Sequence, residues 1–183
     1  MNKSVLCKFQ KNYSITSSVI PIINQKNKFM KTTEELHLML PEKDSPVNIN
    51  PYDPENLTES GYKLHTIAIY RHSTEGKIIQ VHDFRSDLSS YNFIPNDYLL
   101  IELKEKIIIS ESMIKGKIYP DFGLIMSGFG IFCPELYFGF SLPKIFFEKM
   151  PEPGTIFIGI KNFMERELTI DANQVIGCLQ LFE

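Results

Sequence analysis

Between Tyr62 and Phe182 the chain is a succession of short apolar-rich runs separated by Gly, Pro, Asn and Asp. Runs of this length read as strands, and many of them at close spacing lead to a sandwich or a barrel. The clearest alternation lies at Leu64, Thr66, Ala68 and Tyr70, interleaved with His65, Ile67 and Ile69. Ser73-Thr74-Glu75-Gly76 then reads as a turn, with 77–81 as the returning strand. Further strands are expected over 97–103, 106–110, 115–118, 123–126, 131–133, 137–141, 155–161, 167–170 and 175–182. The expected fold is therefore mainly β.

The segment before Tyr62 has a different texture. Residues 1–30 are rich in Asn, Lys, Ser and Ile without a clear period, and read as an appendage with a strand near 18–23. Thr32-Thr33-Glu34-Glu35 is a helix start, with a hydroxyl cap followed by acids that suit the first turn. Leu36, Met39 and Leu40 form its short apolar stripe, and Pro41 ends it. Residues 44–54 hold Pro46, Pro51 and Pro54 and read as an irregular lead-in loop. Residues 146–149 are either a helical turn or an irregular loop. No internal repeat is present.

Length and charge narrow the function classes. The 183 residues fit one domain. The net charge of -3 gives no broad basic face for nucleic acid. Cys7, Cys133 and Cys178 are odd in number and scattered, which speaks against a disulfide framework and for a reducing compartment. No run reaches the roughly 18 apolar residues of a spanning helix, and no signal-peptide core is present, so no membrane is expected and the cytoplasm is the expected location.

Standard motifs are missing. There is no phosphate loop, dinucleotide fingerprint, nucleophile elbow or paired-cysteine zinc pattern. His65, His72 and His82 sit on or beside two expected hairpin strands, and His37 lies apart. Surface or core histidines are the better reading, and no metal site is assigned. Cys133, beside Pro134, reads as a small buried hydrophobe.

Two segments together resemble a known family. Ile49-Asn50-Pro51-Tyr52-Asp53-Pro54-Glu55-Asn56-Leu57, then Ser60-Gly61-Tyr62-Lys63-Leu64, resemble the "I-x-P-F-D-P-x-x-L" and "S-Y-D-L" phrases of dCTP deaminases. Asp97-Tyr98-Leu99-Leu100 resembles "G-E-F-L-L", and Gly116-Lys117 stands where "G-R-S-S" is expected. Gly130-Ile131-Phe132-Cys133-Pro134 resembles "G-F-I-D-P", and Thr155 to Asn162 resembles the strand ending in "L-E-x-x-N". Val175 to Phe182 resembles the last core strand. The pieces are colinear over about 32–182. The resemblance to the dCTP deaminase and dUTPase superfamily implies a distorted β-barrel or jelly roll with one or two short helices. It implies a 31–183 domain after a 1–30 appendage, and a homotrimer with sites at subunit interfaces.

The departures fall on the residues that carry the family's chemistry. The Glu that handles protons is matched by Gly159, which has no side chain for that work. The "R-S-S-x-x-R" phrase is matched by Lys117-Ile118-Tyr119-Pro120-Asp121-Phe122, which keeps one point charge and adds an acid. The Asp of the "G-x-I-D" turn is matched by Cys133, with Glu135 two residues on, and the Asp of "S-Y-D-L" by Lys63. No counterpart of the family's phosphate-covering tail is expected after Glu183. These losses favour a catalytically degenerate protein acting as a structural, interaction or nucleotide-sensing module. The alternative is a divergent pyrimidine deoxynucleoside triphosphate deaminase or diphosphatase, with Glu135 or Asp121 catalytic, Lys117, Tyr119 and Gly130 holding nucleotide, and magnesium arriving with it. Phe138, Phe140, Phe146 and Phe147 exceed what one strand needs inside, about half of them being expected in the core. They make 137–153 a candidate protein-contact region.

Overall fold

A computed structural model describes residues 40, 45–141, 147 and 150–182. The expected appendage and its strand, the helix start at Thr32 and most of 146–149 lie outside the described residues. The long strand β3 (Gly61–His72) forms the spine. Its buried positions include Leu64, Thr66, Ala68 and Ile69. Strands β6 (Tyr98–Leu103), β8 (Lys115–Pro120), β11 (Phe157–Asn162) and β13 (Val175–Phe182) alternate in the same way. Ile101, Ile118, Ile158, Ile160 and Leu179 point inward. Each such side chain contributes about 2 kcal/mol when removed from water, and period-two burial of this kind fixes which face of each strand is the core.

The largest sheet has the order β10-β8-β13-β3-β6-β11-β9, with β2 (Leu57–Thr58) and β4 (Ile78–Asp83) also pairing β3. Its two end strands, β9 (Phe129–Phe132) and β10 (Glu135–Tyr137), are joined by residues 133–134 alone. A sheet whose ends are joined by so short a link must curl. The result is an antiparallel half-barrel with one short helix, a distorted β-barrel as the sequence implies. Two small pairs complete it: β1 (Val47–Asn50) with β7 (Lys106–Ile109), and β5 (Tyr91–Phe93) with β12 (Leu168–Ile170).

Three sequence expectations need correction. Residues 123–126 are not a strand but part of helix α1 (Phe122–Ser127). The Asp121 side chain caps its first turn by accepting from the Leu124 N–H at 3.0 Å, and Gly128 ends it in the left-handed region at φ 112°. A capping acid and a terminal glycine outweigh a short apolar run. Within 44–54, residues 47–50 form β1, because Val47 and Ile49 have an inner face to fill against β7. The strand expected at 137–141 lies instead at Glu135–Tyr137, and the chain then turns, with the Phe140 N–H donating to the Tyr137 carbonyl at 2.9 Å.

Two buried polar side chains tie loops to this framework. Asn162, fully buried, donates to the carbonyls of Phe93, Ile94 and Arg166 at 3.0, 3.2 and 2.8 Å and accepts from the Met164 N–H at 2.8 Å. Glu105, in the turn between β6 and β7, accepts from the His65 N–H at 2.8 Å and meets His65 Nδ1 at 2.7 Å. The 49–57 phrase is likewise structural. Asp53 caps the 3-10 turn Pro54–Asn56, the Asp53 N–H donates to the Tyr62 hydroxyl at 2.8 Å, and Tyr52 stacks on Tyr62 at 5.6 Å.

Candidate functional site

Alternation that turns Ile158, Ile160 and Asn162 inward turns Phe157, Gly159 and Lys161 outward on β11. Register then defines the outer face. Across β3, β6, β11 and β9 one row reads Tyr70, Leu100, Gly159 and Phe132. The next reads Tyr98, Lys161 and Gly130, and Glu102 stands opposite Phe157. Gly159, the position that the resemblance pairs with an acid–base Glu, thus lies on the outer face, buried beneath the exposed Tyr98 and Phe132 side chains. A β-carbon there would stand 2.5 Å from the Tyr98 hydroxyl and 3.4 Å from Phe132 Cβ. Tyr98 and Phe132 meet edge to face at 6.0 Å. No carboxylate is at this position.

The other expected site residues lie elsewhere. Lys117 on β8 is opposite Glu135 on β10 and Gln180 on β13, and its ammonium rests 5.1 Å over the Tyr119 ring. Lys117, Tyr119 and Glu135 are therefore brought together, at the end of the sheet order opposite to β9. Gly130 is not with them. It lies on β9, where the Phe163 ring fills the space a side chain would need. Asp121 is spent on capping α1. Cys133 is free, and burial pushes its thiol up to about 11. Cys178 is also free and raised, mainly by burial, with Lys63 opposing and Asp121 adding. Such thiols carry little thiolate at neutral pH.

A cleft that the sequence reading missed opens beside the Gly159 row. It holds about 460 Å³ and is lined by Tyr70, Ile78, Arg85, Glu102, Phe147 and Phe157. The Tyr70 hydroxyl donates to Glu102 Oε2 at 2.6 Å, Arg85 Nη2 lies 3.9 Å from the same oxygen, and Arg85 Nε donates to Asp83 Oδ1 at 2.8 Å. Burial first, then the Glu102 carboxylate, raises the Tyr70 phenol far above its ordinary value. It is a donor that holds Glu102, not a base. Tyr70 holds Glu102 and Asp83 holds Arg85, so this is a positioned network rather than a nucleophile with its activating base. The only sequence signal was Asp83 and Arg85 two residues apart on an exposed turn. A second cleft of about 410 Å³ lies between β7, β10 and the 150–155 loop, with mainly apolar walls from Ile107, Ile109, Leu136, Phe138 and Pro153.

The histidines do not converge. The β3–β4 register sets His82 opposite Ile69 and His72 opposite Ile78, while His65 belongs to Glu105. His37 lies outside the described residues. Among the described residues, no three His, Cys, Asp or Glu side chains are grouped to hold a metal ion, and no helix is long and apolar enough to cross a membrane. In the 137–153 region Phe138 is exposed, whereas Phe140 packs against the core and Phe147 meets Phe157 at 5.1 Å. Phe146 is outside the described residues. Compared with known proteins, the chain matches no family model and no curated protein.

Proposed function

We propose that this chain is a catalytically silent β-barrel of the dCTP deaminase and dUTPase type, which assembles as a homotrimer and works through surface contacts. One observation carries the reading: the outer-face position that needs a proton-handling carboxylate is Gly159, overhung by the Tyr98 hydroxyl and Phe132. A phenol is not the carboxylate that proton handling at this position calls for. The two candidate catalytic acids do not supply it. Asp121 holds a helix end, and Glu135 faces Lys117 across β8 and β10.

Thermal unfolding with dCTP, dUTP and magnesium tests the proposal. A nucleotide bound at 100 times its Kd adds about 2.7 kcal/mol, a rise of several degrees for a domain of this size. The expected result is no rise at 1 mM of either nucleotide. A clear rise with one of them replaces the contact role with nucleotide binding.

A further inference from the structure

Residues left exposed by the fold form a second pattern. On α1, Phe122, Ile125 and Met126 are spaced i, i+3 and i+4 and so share one helix face. Phe122 is 72% exposed and Met126 70%. The inward residue of this helix is Leu124. Where α1 ends, a side chain on Gly128 would run into Met164, and one on Gly130 would run into Phe163. Phe132 continues along the same outward side of β9. Met164 and Phe163 therefore lie over Gly128 and Gly130, between the exposed Phe122, Ile125 and Met126 of α1 and the exposed Phe132 of β9.

Their combined area decides what such a surface is for. At about 200 Å² for each full side chain, their exposed fractions amount to roughly 700 Å². The largest apolar patch of an ordinary monomer is about 300–600 Å², and one partner of a standard interface contributes about 800 Å². Aromatic and Met side chains are also the types enriched in interface centres. The flanking charges narrow the occupant. Glu165, Arg166 and Glu167 follow Met164 and are exposed, and the Lys161 ammonium lies 5.0 Å over the Phe163 ring. An anionic bilayer would favour basic flanks alone. Flanks of both signs around an apolar centre suit a surface bearing the same charges in a different order.

We infer that this α1–β9 face is where a second copy of the chain docks. The inference rests on the proposed assembling role and names the surface that does it. Light scattering after size exclusion at 1–50 μM tests it, on the wild type, on Phe122→Glu/Met126→Glu and on Leu88→Glu as a control. Leu88 is 75% exposed and outside this group. The wild type and the control are expected at a multiple of 21.1 kDa, and the double variant at one chain mass with an unchanged circular dichroism spectrum. An oligomeric double variant overturns the face while leaving the assembling role in place. A wild type that stays monomeric overturns both, whether the face then takes up vesicles or another protein. A double variant that loses its spectrum also overturns the assignment, because the face would then be internal to the fold.

Discussion

Replacing Asn162, a fully buried polar side chain, should destabilise the chain strongly. Alanine leaves the carbonyls of Phe93, Ile94 and Arg166 without their donor and the Met164 N–H without its acceptor. A buried polar group left unpaired costs about 1–3 kcal/mol. The Phe93 bond is the deeply buried one, and water can reach the others in part. The expected loss for Asn162→Ala is about 3–4 kcal/mol, read from urea or guanidinium midpoints at constant slope. Asn162→Asp sharpens the test. Its carboxylate keeps the bond from Met164 but faces three carbonyls, so folding favours the protonated form and raises the folded-state pKa. Stability then stands highest below the unfolded value near 3.9 and falls as pH rises through the folded value. The gap between this variant and the wild type should widen from pH 4 to pH 7. A loss under about 1 kcal/mol for alanine, or a pH-independent gap for aspartate, would refute the role given to Asn162.

Other outcomes follow from the same structure. Glu105→Ala removes a buried acceptor shared by the His65 N–H and imidazole and should cost about 2–3 kcal/mol in denaturant, with Glu105→Gln losing less because it keeps one acceptor oxygen. Asp121→Ala should cost about 1 kcal/mol through the lost helix cap, and Asp121→Asn much less, in the same assay. Gly177→Ala should cost more than about 2 kcal/mol, since its β-carbon meets the Tyr119 backbone carbonyl in the β13–β8 ladder. Gly159→Ala should change stability by under about 1 kcal/mol, because it displaces only the end of the exposed Tyr98 side chain. Cys133, with its thiol pushed up to about 11, should react with a disulfide reagent at pH 8 roughly 100-fold slower than a free cysteine in a Cys7→Ser/Cys178→Ser background. Its rate should climb through pH 9–11.

The parts of the fold legible in the sequence are those where one face is core. Residues 64–70, 155–161 and 175–182 alternate because β3, β11 and β13 each bury every second side chain, and their strand assignments hold. Helix α1 was hidden because its apolar residues are mostly outward, so Phe122 to Met126 carry no inward period. Its cap, Asp121, stands within the stretch that resembles a phosphate-binding phrase, which masks the capping signal. Asn162 is legible in the sequence as the end of a motif strand. That its amide gathers carbonyls from 93, 94 and 166 depends on contacts across the fold. The Tyr70–Glu102–Arg85 cleft was illegible for a similar reason. It depends on β3 register shifts, at Thr66/Ala68 against β6 and Ile69/Tyr70 against β4, and one-residue slips of this kind decide which side chains share a face.

We propose that the aromatic outer face around Gly159 makes contacts and does no chemistry. Product analysis of dCTP and dUTP incubated with the full chain and magnesium, by chromatography and ammonia detection, tests it most directly. The expected result is neither dUTP from dCTP nor monophosphate from either nucleotide above the protein-free control. Formation of either product in proportion to protein, and lost in Glu135→Gln, would contradict it.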